Sequence, residues 1–190
     1  MTNALVSVEP ARMSKEGLSV RKVAIIGSPG AGKSTFARRL GDITGIEVYH
    51  LDRLFWKPGW VGTPREEWKT LQQQLIQNES WIMDGHYGAT MDIRIQAADT
   101  VIFLDFPRRV CLWRIAKRVI RYRGQIRPDM AEGCPEKVDF DFIRYAWGFR
   151  RREQARIVQR LEEARREGKQ VVRLSTRQQV ERYLAGLQSF

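Results

Sequence analysis

The spacing of apolar positions changes several times along the chain, and each change marks an element. Arg21–Gly27 (RKVAIIG) is a short apolar run ending at a glycine, the pattern of a buried strand. Phe36, Ala37, Leu40 and Ile43 then recur at helical spacing between Lys33 and Gly45, where the glycine supplies the stop. Glu47–His50 reads as a second strand. Residues 51–63, with Pro58 and three aromatics, read as a loop. Thr63-Pro64-Arg65-Glu66 has N-cap, N1 and N3 chemistry and predicts a helix running to about Asn78. Trp81–Asp84 and Thr100–Asp105 are further strands, the latter closed by Pro107. A helix over 108–122, an irregular loop over 123–137 and a long helix from about Asp139 to Gly168 follow. Gln170–Leu174 is a fifth strand and Thr176–Leu187 a last helix. Strands alternating with helices predict an α/β fold: a parallel sheet covered on both faces, with right-handed crossovers.

One motif gives this scaffold a chemistry. Gly27-Ser28-Pro29-Gly30-Ala31-Gly32-Lys33-Ser34 fits GxxxxGK[ST] and sits between a predicted strand and a predicted helix, the context such a phosphate loop requires. Its glycines let backbone N–H groups wrap a phosphate chain, and the helix N-terminus adds partial positive charge. Gly27 through Thr35 are therefore candidate nucleotide-binding residues. Lys33 is the candidate catalytic cation on the β- and γ-phosphates, and Ser34 a candidate Mg²⁺ ligand. No NKxD element accompanies the motif, so ATP is the expected donor.

Composition adds limits. The 190 residues suit one domain. No apolar run approaches the ~20 residues of a membrane span. Two cysteines, Cys111 and Cys134, without CxxC spacing argue against a zinc site or a disulfide framework. The expected compartment is the cytoplasm. Residues 1–20 read as a flexible extension, with Met13 as an alternative start, and 21–190 as the folded domain. The net charge is +11, and all of the excess lies after Asp105: residues 106–168 hold seventeen bases and nine acids, and 169–190 four bases and one acid. Arginine supplies 25 of the 33 bases, and its fork matches phosphate oxygens. A solvated basic surface or a polyanionic ligand, nucleotide or nucleic acid, explains this excess.

Four further stretches carry a resemblance: Tyr49–Trp60 (YHLDRLFWKPGW), Trp81–Tyr87 (WIMDGHY), Ala98–Pro107 (ADTVIFLDFP) and Tyr122–Lys137 (YRGQIRPDMAEGCPEK). With the phosphate loop, they make the chain resemble adenylate-kinase-like nucleoside and nucleotide kinases, and more narrowly bacterial DNA topology modulation proteins. The resemblance implies a three-layer P-loop fold, with a five-stranded parallel sheet in order 2-3-1-4-5. It also implies an acceptor-side (NMP) region over about 51–78 and an arginine-bearing lid over about 123–137. It implies that Asp84, with Gly85, lies beside the phosphate loop and serves Mg²⁺, and that Asp52 faces the acceptor and orients it or takes its proton. By the same resemblance, Arg114 and Arg118 cover the nucleotide, Arg123 and Arg127 close on the transferring phosphoryl group, one of Arg150, Arg151 and Arg152 faces phosphate from the long helix, with Arg151 taken as the candidate, and Arg94 either binds an anionic group of the acceptor or lies at the surface. Trp56 is a candidate to stack an acceptor base, with loop packing as the plainer alternative. The expected function is transfer of the γ-phosphoryl group of Mg-ATP to a small acceptor, a nucleoside or nucleotide. The alternatives are a nucleotide-regulated, non-sequence-specific DNA-binding protein, or a kinase of nucleic-acid 5′ ends.

Overall fold

The computed structural model describes residues 20–188. Except for Val20, the expected N-terminal extension and the choice of start lie outside them. The chain order is β1 (Lys22–Gly27), α1 (Lys33–Thr44), β2 (Val48–His50), α2 (Leu51–Phe55), β3 (Trp56–Lys57), β4 (Val61–Gly62), α3 (Arg65–Leu75), β5 (Trp81–Asp84), α4 (Met91–Ala97), β6 (Thr100–Leu104), α5 (Arg108–Tyr122), α6 (Phe140–Arg166), β7 (Gln170–Leu174) and α7 (Arg177–Gln188).

Five parallel strands form the central sheet in the order β2-β5-β1-β6-β7. Counting only these five, the order is 2-3-1-4-5, as the resemblance implied. Period-two alternation splits β1 between two cores. Val23 and Ile25 join Phe36, Leu40, Ile102, Leu104 and Leu184 on the α1/α7 face. Ala24 and Ile26 join Met83, Met91, Phe103, Phe149, Ile157 and Leu161 on the α4/α6 face. A strand buried on both faces needs apolar residues at every position, which is why RKVAIIG shows no alternation.

The 51–63 stretch is more ordered than its sequence suggests. It forms the short helix α2 and an antiparallel hairpin, β3 with β4, turned by Pro58-Gly59-Trp60 with positive φ at Gly59 and Trp60. Thr63 does not cap the next helix. Its hydroxyl and N–H both donate to the Phe55 carbonyl, at 2.6 and 2.9 Å, closing the hairpin base, so α3 starts without a side-chain cap. No helix among the described residues is long and apolar enough to cross a membrane.

Central position and full burial make Ile102 a sensitive probe. Ile102→Ala should cost about 2–5 kcal/mol in urea denaturation, whereas Ile120→Ala, at a side chain 80% exposed on α5, should change stability by less than about 0.5 kcal/mol.

Candidate functional site

The carboxyl ends of β1, β2, β5 and β6 meet at one edge of the sheet, where ligands bind in open α/β folds. The turn after β1 is crowded by its neighbours. Gly27 has φ +146°, and a Cβ there would lie 2.5 Å from the Leu104 carbonyl oxygen. At Gly30, with φ +75°, a Cβ would lie 2.4 Å from the Cys111 carbonyl oxygen. Both positions accept only glycine. The loop delivers Lys33 and Ser34 to the start of α1, where backbone N–H groups are left unpaired by the helix itself. The Lys33 ammonium donates to the Gly27 and Ser28 carbonyls, each at 3.1 Å. Burial lowers its pKa, with partial opposition from the charges of Asp52 and Asp84.

Asp84 ends β5, level with Ile25 of β1 and His50 of β2. His50 Nδ1 lies 2.5 Å from its carboxylate. Burial works against charge on His50, but the hydrogen bond and charge of Asp84 outweigh it and raise the pKa. Asp52, in the first turn of α2, accepts a 2.7 Å hydrogen bond from the Tyr87 hydroxyl. Burial first, and then Asp52, hold that phenol far above its ordinary pKa. His86 is buried edge-on to Phe149, with Nε2 3.4 Å from Glu153 of α6. Burial and the Lys33 charge push it down to about 4, Glu153 offsetting only part, so it is neutral near pH 7.

Arginines and acids of α5 and the 123–137 loop roof the site. Arg114 donates to the Ala31 carbonyl at 2.8 Å and lies 4.3 Å over the Phe106 ring. Arg118 and Arg127 share Glu136, at 3.2 and 2.7 Å, and Arg127 also donates to Asp129 at 3.1 Å. Burial would raise the Asp129 pKa, but Arg127 and a hydrogen bond from Ser34 outweigh it and hold the carboxyl below its usual range. The 123–137 loop thus lies over the phosphate loop. The Ser34 hydroxyl and the Asp129 carboxylate meet there, hard donors of the kind that suit Mg²⁺, while Asp84 is held by His50 and acts on Lys33 through its charge. Among the described residues no three His, Cys, Asp or Glu form a group that could hold a metal ion by themselves. The cavity beneath measures about 1070 Å³. That exceeds the space one drug-sized ligand needs and leaves room for two small molecules.

Pro29 through Thr35, Asp52, Trp56, Arg114, Arg118 and Arg127 line this cavity. Gly27, Ser28, Asp84, Gly85, Arg94, Arg123 and Arg151, all expected at the site, do not. Arg94 is fully buried: it donates to Gln72 Oε1, to the Gly85 carbonyl at 3.1 Å and to the His86 carbonyl at 2.8 Å. It braces the β5 turn from behind and has no face toward an acceptor. Arg151 is exposed on α6 and does not line the cavity, which that helix meets through Phe142 and Tyr145 about two turns earlier. Arg123 is exposed too, its backbone bridging to Glu136 at the base of the loop. Gly85 contributes through its backbone, as the Arg94 acceptor. Sequence reasoning missed Tyr87, Asp129 and Glu136. For the two acids a signal existed, since Asp129 lies two residues after Arg127 and Glu136 falls in the same expected lid segment. Arg38, Arg39, Arg177 and Glu181 also line the cavity, because α1 packs on α7, and no local pattern announces that.

Solved structures share this architecture. A shikimate kinase from Bacteroides thetaiotaomicron aligns with 89% of this chain and 97% of its own, at 19% identity and a TM-score of 0.50. A gluconokinase from Sinorhizobium meliloti aligns with 88% of this chain and 91% of its own, at 16% identity and a TM-score of 0.52. The fold is that of the P-loop kinases. No protein-family model matches the chain and no curated protein matches it, so the narrower likeness to DNA topology modulation proteins gains no support.

Arg94→Met should strand two buried carbonyls and lower stability by about 3 kcal/mol in urea denaturation. A second measurement follows from His86. Its folded pKa, about 4, lies below the unfolded value, so the native state binds fewer protons and stability is lost as pH falls from about 6.5 toward 4. The raised His50 contributes with the opposite sign, its stabilisation fading as pH rises through the folded value. Stability against pH for His86→Gln should therefore be flatter than the parent between pH 4 and 6.5.

Proposed function

We propose that the protein transfers the γ-phosphoryl group of Mg-ATP to a hydroxyl of a small acceptor of the nucleoside or nucleotide class. The observation that carries this is the phosphate loop opening into a cavity with Asp52 facing Lys33 on one side and Arg118 and Arg127 above. The loop amides hold the phosphate chain, and Lys33 exchanges the Gly27 and Ser28 carbonyls for phosphate oxygens. Ser34 would hold Mg²⁺, with Asp84 beside it, and the ion would supply positive charge to the phosphate chain. Asp52 orients the acceptor hydroxyl. As the new O–P bond forms and the β–γ bridging bond breaks, ADP leaves with the bridging oxygen, and the hydroxyl proton passes to Asp52 or water. Arg114 binds the nucleotide, and Arg118 and Arg127 stabilise charge spread over the transferring group. The 123–137 loop serves as the lid that excludes water, and α2 with its hairpin as the acceptor-side region.

Part of the basic excess faces the cavity through Arg114, Arg118 and Arg127, and no nucleic-acid-binding motif accompanies the remaining surface charge.

With γ-labelled ATP and Mg²⁺ against a panel of small hydroxylated acceptors, Lys33→Ala should lower transfer by about 10³-fold or more. Asp52→Asn should lower kcat by about 10²-fold. Undiminished transfer by folded Lys33→Ala protein would refute the mechanism.

A further inference from the structure

A buried polar network stands behind the β5 turn, and it ends on Tyr87. Arg94 and Gln72 are fully buried, and Thr90 is nearly so. The Arg94 guanidinium donates to Gln72 Oε1, and the Gln72 amide donates to the Thr90 hydroxyl at 2.7 Å. The Thr90 N–H and hydroxyl both donate to the Tyr87 carbonyl, at 3.0 and 3.4 Å. With the Gly85 and His86 carbonyls already taken by Arg94, three successive carbonyls are fixed by one network. Polar groups buried this completely are costly to leave unpaired, so the network is rigid.

What it holds is a strained residue. Tyr87 has φ +36°, a value that a bulky side chain keeps only where its surroundings over-determine it. Gly85, two residues earlier, has φ +150°, and a Cβ there would lie 2.9 Å from Leu51 Cβ and 3.1 Å from the Tyr87 ring. The ring packs against Phe55 and Trp68, with 4.9 Å between centroids in each pair. Tyr87 and Asp52 both line the cavity, and the phenol donates to Asp52 Oδ1 at 2.7 Å. Burial and the Asp52 charge keep that phenol protonated, so it stays a donor and cannot itself take the proton of an acceptor.

Asp52 needs such a partner. It stands in a helix of five residues, too short to be rigid by itself. An aspartate carboxylate also has a broad torsional preference about its last bond. Among the described residues, the Tyr87 hydroxyl is the one side-chain donor hydrogen-bonded to it. Resting on the phosphotransferase reading, we infer that Tyr87 is a positioning residue for the transfer: its hydroxyl fixes Asp52 Oδ1 and leaves Oδ2 as the oxygen that orients the acceptor hydroxyl. The network from Arg94 through Gln72 and Thr90 sets where the phenol stands. A misplacement of about 1 Å at the reacting groups costs about 10²-fold in rate, which is the scale of the effect at stake.

The test uses the full chain with Mg²⁺, γ-labelled ATP and a panel of small hydroxylated acceptors. Tyr87→Phe keeps the ring and its packing, and urea denaturation checks that the variant is folded. It should lower kcat about tenfold or more. The acceptor KM should change by less than about threefold, and ATP binding, measured by equilibrium dialysis, should not change. In an Asp52→Asn background the same substitution should cost less than about twofold in kcat, because the carboxylate it positions is already gone. A tyrosine that only ties the β5 turn to α2 would instead raise KM, or lower kcat equally in both backgrounds. Either result overturns the inference, as does full kcat in Tyr87→Phe, and all three leave transfer by the parent chain standing. No transfer by the parent to any acceptor of the panel removes the phosphotransferase reading, and the role of Tyr87 with it.

Discussion

A turn that wraps its backbone around a polyanion has no room for side chains, and the centre of this molecule is arranged around that restriction. β1 lies between β5 and β6, and the chain leaving it passes so close to the Leu104 and Cys111 carbonyls that Gly27 and Gly30 cannot carry a Cβ. The same packing that denies side chains to the loop fixes the loop's backbone. It also sets α1 with its N-terminus over the sheet edge, where the partial charge of the helix end adds to that of the loop amides. Asp84, one strand away and level with Ile25, is held at the same edge by the parallel register.

The second organising feature is charge balance. Residues 107–128 hold eight bases and no acids, a density that self-repels. The structure offsets part of this locally: Glu136 lies between Arg118 and Arg127, and Asp129 takes the other side of Arg127. Buried carboxylates next to buried guanidinia serve here as internal counterions, since leaving either charge unpaired would cost several kcal/mol. Because these acids belong to the 123–137 loop, the pairing also determines where that loop rests, over Ser34 and Lys33.

How much of this was legible in the sequence varied with the range of the interaction responsible. The five sheet strands and the phosphate loop were readable, because apolar runs and a fixed Gly/Lys/Ser spacing are local signals. The hairpin of 51–63 was not, because its pairing covers two residues on each side and its closure depends on Thr63 turning back to Phe55. Asp52 and Trp56 could be named as candidates from their position after β2, and the fold brings both to the cavity wall. Arg94 shows the opposite outcome. An arginine one short helix beyond the strand-end Asp-Gly pair reads as a ligand contact, yet the buried carbonyls of Gly85 and His86 need donors, and the guanidinium supplies them. One-dimensional spacing does not distinguish an arginine facing into a cleft from one bracing its floor from behind.

The two halves of the cavity do not move independently. Met130, Ala131 and Cys134 of the 123–137 loop bury themselves against Trp56 and Trp60 of the hairpin, forming a small core of their own. Polar contacts reinforce it. The Gly59 N–H donates to the Gly133 carbonyl at 2.9 Å, the Trp60 indole to the Pro135 carbonyl at 3.2 Å, and the Cys134 thiol to the Lys57 carbonyl at 3.2 Å. Separating loop from hairpin would expose two indoles and three buried side chains at once, so the pair shifts as a body or not at all. The loop is tied to the nucleotide side through Arg127 and Glu136, and the hairpin forms the aromatic wall of the other end. A displacement of either arginine pair is therefore carried to the indoles by packed atoms rather than by a flexible linker, and the shape of one end constrains the shape of the other.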